Sequence, residues 1–488
     1  MTTFAILWFD VEDFINPETD DMPLRIAKIM SKHRVKVVFK IVGEKLRTLK
    51  RHGRKDVIEA MAEHDIGYHS NLHSIHPTPT EYIGSLDWDS GVEEFEKREE
   101  EGYLEIKKTY GKSPICYGHP GLSWVPQAYP VLNKWRIPVY LDETFTLPSI
   151  NERPFWYCNM LNIMCIRSNV LTLDAGVSSF PIDKNWLLKL PSEFKKIYDK
   201  LERQETPGVI SVYCHPTTYA TEEWWENGNF LKGKNPDKMI FKRAKLKTKE
   251  KTEEDLKLLE QFIIDAKKLP NLKFITASDA IKIYKDKADG RSFLKSELGA
   301  LCRQSIKSIY YYRVNEEVWV SPAEIFAMVL EMLVRFSEKR RLPEKVVCRV
   351  HPYGPKAVTD SVISSDTINL DCLIRSCQAG LREIHRSGYL PSRFEVGDYI
   401  ILSTADMFIT VCGAYLELLE NKDPTDIKVL KGVFDIGKTV TLEGAKKDWS
   451  YHLNPDGFEA LKQVELARLQ TWTLKPAVAD LKAIEEIG

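Results

Sequence analysis

The chain has 488 residues, 43% of them apolar and 28% charged, which is enough for two or three folded domains and at least one large core. Its 69 Lys and Arg nearly cancel 70 Asp and Glu, which removes the main electrostatic case for nucleic-acid or anionic-membrane binding. No apolar run approaches the ~20 residues of a spanning helix, and nine scattered cysteines form no Cys-x-x-Cys pair.

Met1 to Thr3 leads straight into an apolar stretch and then acidic residues, without the basic start and small-residue cleavage site of a secretory signal; a cytoplasmic chain with reduced thiols is expected. Phe4 to Phe9 reads as a first strand and runs into Asp10-Val-Glu12-Asp13. Pro23 to His33 reads as a helix, Val35 to Val42 as a strand ending at Gly43, and Lys55 to Glu63 as a helix. Ile66 to His69 is a short third strand that opens His69-Ser-Asn-Leu-His73-Ser-Ile-His76. Val92 to Tyr110 is a long charged helix with one face on solvent. Strands follow at Ile115–Tyr117, Pro138–Leu141, Val209–Cys214 and Leu272–Ile275, with an amphipathic helix from Thr252 to Leu269. Lys232 to Lys251 is strongly basic and reads as a solvated insertion. Short β-branched runs alternating with helices predict a parallel α/β fold over residues 1–285.

The polar stretch Asp286–Ser292 marks a domain boundary, and residues 293–488 form a second, smaller, mostly helical α+β domain. A weak pattern recurs in it, over about 314–350 and 396–432, and reads either as an internal repeat of two related helical units or as chance likeness between two capped helices. Ser321 and Ser403 begin the matching helices, each followed three residues later by an acid, Glu324 or Asp406, as in a capping box. This domain could cover the mouth of the first or join two copies into a homo-oligomer.

Chemistry concentrates where predicted strands end, the place parallel α/β folds put their sites. Three carboxylates within Asp10 to Asp13 are costly to hold together without a cation. His69 and His73 lie four apart, so a helical turn would put both imidazoles on one face. One carboxylate and two imidazoles make a three-ligand site with open positions, as catalytic metals have. Gly118-His119-Pro120-Gly121-Leu122 is a tight loop whose backbone amides could hold an oxyanion. His215 stands at the end of its strand, where a general acid would be delivered.

These clusters, in this order, resemble the polysaccharide deacetylase family, carbohydrate esterases that share the chitooligosaccharide-deacetylase homology domain. The Asp10-Val-Glu12-Asp13 form is similar to the subgroup that writes its first motif Asp-x-Glu-Asp. The resemblance covers roughly residues 4–282. It implies a distorted (β/α) barrel of about seven strands and hydrolysis of a C–N amide bond, most simply N-deacetylation of an N-acetylated sugar or an intracellular glycan precursor. A small non-sugar amide of the allantoin kind, or a degenerate binding module, are the alternatives. Asp10 matches the family's base, Glu12 or Asp13 the metal carboxylate, His69 and His73 the metal imidazoles and His215 the acid. The cofactor implied is one divalent ion, zinc first, with cobalt, nickel or manganese as alternatives. Asp142 falls where a further motif Asp would stand, and His76 is a candidate supporting group. One departure stands out: the family carries an Arg two residues before the loop proline, and here Gly118 occupies that position. The pattern around Phe326 and Arg341-Leu-Pro343 is similar to the pseudomurein-binding repeats of archaeal surface proteins.

Overall fold

Every residue of the first strand, β1 (Thr3–Val11), is buried, because β1 lies inside the sheet with helices on one face and other strands' side chains on the other. The computed structural model describes residues 2–147, 153–164, 169–177, 183, 185–397, 399–422 and 424–486. Parallel strands follow at β2 (Val38–Ile41), β3 (Asp65–Tyr68), β4 (Cys116–Tyr117) and β5 (Val139–Asp142). Then come the hairpin β6 (Phe155–Tyr157) and β7 (Met160–Met164), and β8 (Val170–Thr172), β9 (Gly208–Cys214) and β10 (Leu272–Ile275).

The strands form one 11-stranded sheet whose path runs from β8 through β9, β1, β2, β3, β4, β5, β7 and β6 to a last strand, Lys475–Pro476, with β10 also on β1. Seven neighbours, β8 to β5 along this path, are all parallel. The sheet is therefore larger than the seven strands expected from the sequence, and the barrel is an open, curled one: among the described residues its two ends, β8 and Lys475–Pro476, do not pair with each other. The extra members escape a reading by periodicity because the β6–β7 hairpin is short and Lys475–Pro476 pairs across most of the chain.

Alternation along β1 sorts the two faces. Ala5, Leu7, Phe9 and Val11 meet the surrounding helices, while Phe4, Ile6 and Trp8 point inward with Val38, Cys116, Val139 and Leu141. Asp10 and Lys40 are register partners on β1 and β2 and continue the inward rows.

The second region holds two units of identical element order. The first comprises strand Ser292–Leu294, helix Lys295–Lys307, a hairpin of Tyr312–Arg313 with Trp319–Val320, helix Pro322–Lys339 and strand Lys345–Val347. In the second, these correspond to Thr367–Asn369, Leu370–Ser387, Arg393–Val396 with Ile400–Ser403, Thr404–Leu419 and Asp426–Lys428. In each unit the outer two strands pair with one another, and the second helix starts on a capping serine: Ser321 Oγ accepts from the Glu324 amide (3.3 Å) and Ser403 Oγ from the Asp406 amide (3.1 Å). The helices pack across the units, first against second, into one apolar cluster centred on Phe326 and Phe408.

Beyond these units the chain returns to the barrel. Ile436, Val440, Ala445, Trp449, Ala460, Val464, Ala467 and Leu474 are buried in the same cluster as Leu7 and Phe9. The Asp448 carboxylate grips the loop after β5, accepting from the hydroxyls of Thr144 and Thr146 (2.6 Å each) and the amides of Phe145 (2.8 Å) and Thr146 (2.9 Å). Among the described residues no helix is long and apolar enough to cross a membrane.

Candidate metal centre and active site

β1 delivers Asp10 and, just past its last residue, Glu12. Glu12 is buried, and its Oε1 accepts from the Trp225 indole N–H at 2.8 Å. Its Oε2 lies 2.9 Å from His73 Nε2 and 3.4 Å from His69 Nε2. These three atoms form a compact donor cluster, a group that could hold a metal ion.

The two imidazoles reach it from a loop rather than from the helical turn expected from their spacing. Residues after β3 form bends and turns in which Ser70 (φ 66°) and His73 (φ 52°) take left-handed conformations. The Ser70 carbonyl is taken by the Gly43 amide at 2.9 Å, and Ser70 Oγ accepts from the His73 amide at 3.1 Å, so the chain turns back and the rings meet with centroids 5.0 Å apart.

Each ring is held by its other nitrogen. His69 Nδ1 lies 3.0 Å from the Gly118 carbonyl, to which it donates, and His73 Nδ1 lies 2.5 Å from Ser74 Oγ and 3.1 Å from the buried carboxylate of Glu226. Both rings thereby present Nε2, the tautomer-fixing arrangement seen around bound metals. His73 Nε2 is buried without an aligned hydrogen-bond partner, although it sits close to Glu12. Without a cation, burial works against the charged forms, but Glu12 and Glu226 push His73 up to about 10, and Glu12 is held well below the usual carboxylate range despite its burial. The donor set and the convergence of the two Nε2 atoms on Glu12 Oε2 fit a divalent cation, which would take the place of the proton that His73 and Glu12 otherwise share.

Asp13 does not join the cluster. Its Oδ1 accepts from the amides of Ile15 (3.0 Å) and Asn16 (3.1 Å), and its Oδ2 from Thr217 Oγ1 (2.7 Å), so it builds the turn after β1. Burial still raises its pKa. His76 also lies elsewhere, tied to Glu81 (2.6 Å) and the Phe230 carbonyl (2.7 Å).

Across the cluster, Asp10 Oδ2 stands 3.9 Å from His215 Nε2 and Asp10 Oδ1 3.8 Å from His69 Nε2. His215 Nδ1 lies 2.9 Å from Asp174, which is fully buried and also accepts from the His215 amide at 2.5 Å. Burial would lower this imidazole's pKa, but Asp174 and Glu12 outweigh it and push it up to about 10. Asp142, at the end of β5, accepts from Lys40 at 2.8 Å, and that cation holds it below its ordinary value against burial. His119 is buried beside the Tyr140 hydroxyl (3.0 Å), and burial lowers it to about 4, so it is neutral near pH 7.

Asp10, Glu12, His69, His73, His119, Gly121, Leu122, Asp142 and His215 line one cavity of about 200 Å³; Pro120 shapes its loop without lining it. Trp8, Glu143, Phe145, Tyr213, Trp224 and Tyr451 complete the wall. Tyr451 comes from the returning C-terminal segment and lies against Gly121, where a Cβ would meet its ring at 2.6 Å. The sequence reading passed over Lys40, Asp174, Glu226, Trp225 and Tyr451. An available signal for one of them was the acid in Trp224-Trp225-Glu226, an aromatic pair unusual for a solvated loop.

No family model matches the sequence, and no curated protein matches it. Solved structures share parts of the fold. A protein described as a polysaccharide deacetylase from Mycobacterium smegmatis is 15% identical, with a TM-score of 0.38 over 57% of this chain and 88% of that one. The Puue allantoinase is 14% identical, with a TM-score of 0.38 over 57% and 88%. A CE4-family pseudoenzyme from Bacillus anthracis is 15% identical, with a TM-score of 0.28 over 56% and 64%. At these levels the likenesses assign no chemistry, and the site stands on its own atoms.

Proposed function

We propose that the barrel is a metal-dependent hydrolase of a carbon–nitrogen amide bond. The observation that carries this reading is the buried Glu12–His69–His73 cluster, whose two Nε2 atoms converge on one carboxylate oxygen, set in a cavity beside Asp10 and His215. Glu12, rather than Asp13, is the carboxylate that would hold the ion, together with Nε2 of both imidazoles. A cation there, zinc by its donor set, supplies Lewis acidity toward a carbonyl and acidifies water.

The chain's own groups do the rest. Asp10 takes a proton from the attacking water through Oδ2, the carboxylate oxygen that faces His215 across the cavity. His215, kept charged by Asp174, gives a proton from Nε2 to the departing amine. The backbone of the His119–Leu122 loop borders the place where the carbonyl oxygen would carry charge.

A cavity of about 200 Å³ sits below the ~300–1,000 Å³ of pockets for drug-sized ligands. With Tyr451 and Trp224 in its wall, it suits a single N-acetylated sugar unit or a small linear or cyclic amide better than a run of several sugars. The small volume is what favours the small-amide reading over a polymer.

The test is elemental analysis of the purified protein beside His69→Ala/His73→Ala, followed by a hydrolysis screen of N-acetylated sugars and small amides. Near-stoichiometric divalent metal, lost in the variant, with amine release by the wild type, is expected. Wild-type protein that takes up no metal on dialysis against zinc would remove the proposal.

A further inference from the structure

Lys40 is a lysine with no exposed surface in the middle of a barrel. Amines of this kind are rarely buried unless paired. Its Nζ lies 2.8 Å from Asp142 Oδ2 in an aligned hydrogen bond, 3.1 Å from Asp10 Oδ1 in an off-line ion pair, and 3.8 Å above the centre of the Trp8 ring. Asp10, Lys40 and Asp142 come from β1, β2 and β5, so the ammonium spans the barrel's interior between two carboxylates.

Two glycines make room for it. A Cβ at Gly67, Lys40's register partner on β3, would meet Lys40 Cγ at 2.9 Å and Cys116 Sγ at 2.6 Å. A Cβ at Gly118 would overlap the ammonium itself and an Asp142 oxygen. Neither glycine has a positive φ, so the demand at both is for space and not for backbone freedom.

We propose that Lys40 is the positioning residue of this site: its ammonium, seated in the space left by Gly118, fixes Asp10 Oδ1 so that Oδ2 is directed across the cavity toward the attacking water and His215. The proposal rests on Asp10 being the base. Burial alone would discharge this amine, but Asp10 and Asp142 reverse that and push it above the ordinary lysine value, so the cation is permanent. Without it, the nearby imidazole nitrogens are His69 Nε2, 3.8 Å from Oδ1, and His215 Nε2, 3.9 Å from Oδ2, both too far to hold the carboxylate by a hydrogen bond. The arrangement also accounts for the missing side chain at 118, since the cation enters from β2 instead.

The experiment compares Lys40→Met, Lys40→Ala and Lys40→Ala/Gly118→Arg in the full chain, by crystal structure, zinc content and steady-state kinetics on an amide that the wild type cleaves. The expected result for Lys40→Met is retained zinc, an Asp10 carboxylate turned away from its wild-type place, and kcat down by about 100-fold with KM within about threefold. In the double variant the guanidinium enters from the end of β4 instead of from β2, and kcat recovers about tenfold over Lys40→Ala. A purely structural lysine would lower yield and melting temperature without that recovery. Lys40→Met with an unmoved Asp10, or with kcat within about threefold of wild type, would overturn the proposal. If the wild type cleaves no amide, the hydrolase reading falls by itself, and the position of Asp10 in Lys40→Met still decides the role of Lys40.

Discussion

Two clusters among the described residues share the ingredients of a metal site, and they differ in what already engages their donor atoms. Glu12, His69 and His73 lie at the barrel mouth; Glu324, Cys348 and His351 lie where the second region meets the returning segment. In the second cluster a lysine already occupies the centre: Lys475 Nζ is 2.6 Å from Glu324 and 2.7 Å from Asp286, and His351 bridges Glu324 (2.7 Å) and Asp289 (3.0 Å). Burial pushes the Cys348 thiol far up, away from the thiolate that a metal requires. In the first cluster the nearest ammonium, Lys40, serves Asp10 and Asp142, and one imidazole nitrogen has no aligned partner. Both places gather a buried carboxylate and an imidazole, with a second imidazole in the first and a thiol in the second; what separates them further is that the second carboxylate is already spent on Lys475 and His351.

The largest effect that could break this contrast is catalytic. Asp10→Asn should lower turnover by about 10³-fold or more while zinc content stays at the wild-type level. Unchanged turnover would remove Asp10 from the chemistry and leave the first cluster a binding site only.

Next is the ion network of the second cluster. Lys475→Met takes the ammonium away from the buried Glu324 and the partly buried Asp286, and urea unfolding should show a loss of about 3–5 kcal/mol with zinc content unaltered. Loss of zinc in this variant would mean that the second cluster, too, holds metal.

The smallest effect is a pH dependence. His351 is pushed up to about 9, its burial outweighed by Glu324 and by Asp289. A folded pKa above the unfolded one gives stability that is complete below about 6.5 and lost as pH rises through 9. Glu324 works from the other side: held near 2 by Lys475 and His351 against burial, it gives stability present above about 4.5 and lost as pH falls toward 2. His351→Gln should therefore cost roughly 1–3 kcal/mol at pH 6 and much less at pH 10. An equal cost at both values would show that the imidazole contributes shape and not charge.

The first cluster was largely legible in the sequence, and the contrast explains why. Asp10, Glu12, His69, His73, His119, Asp142 and His215 each lie at or just past the end of a strand whose apolar run is plain, so topology alone gathers them. The groups that orient them are invisible for the opposite reason. Glu226 and Trp225 sit on a loop without period, and Asp174 follows a three-residue strand. Lys40 interrupts an apolar strand and looks like an edge residue until its partners on β1 and β5 are placed beside it. The His69–His73 spacing pointed to the right pair through the wrong local structure, because left-handed turns at Ser70 and His73 achieve what a helical turn would have. The paired helices after Ser321 and Ser403 were readable from their caps, but the strands that frame each unit are two or three residues long and carry almost no periodic signal.

The strand at Lys475–Pro476 also sets a timetable. It pairs with β6, whose Phe155-Trp-Tyr157 edge is strongly aromatic, and that partner leaves the ribosome more than three hundred residues after β6 itself. At ~5–20 residues per second, the nascent barrel carries an uncovered aromatic edge for tens of seconds. Such an edge is where a growing chain is most easily captured by another copy or by a holding chaperone. Translation speed, and not only sequence, should therefore govern how much of this protein reaches its native state.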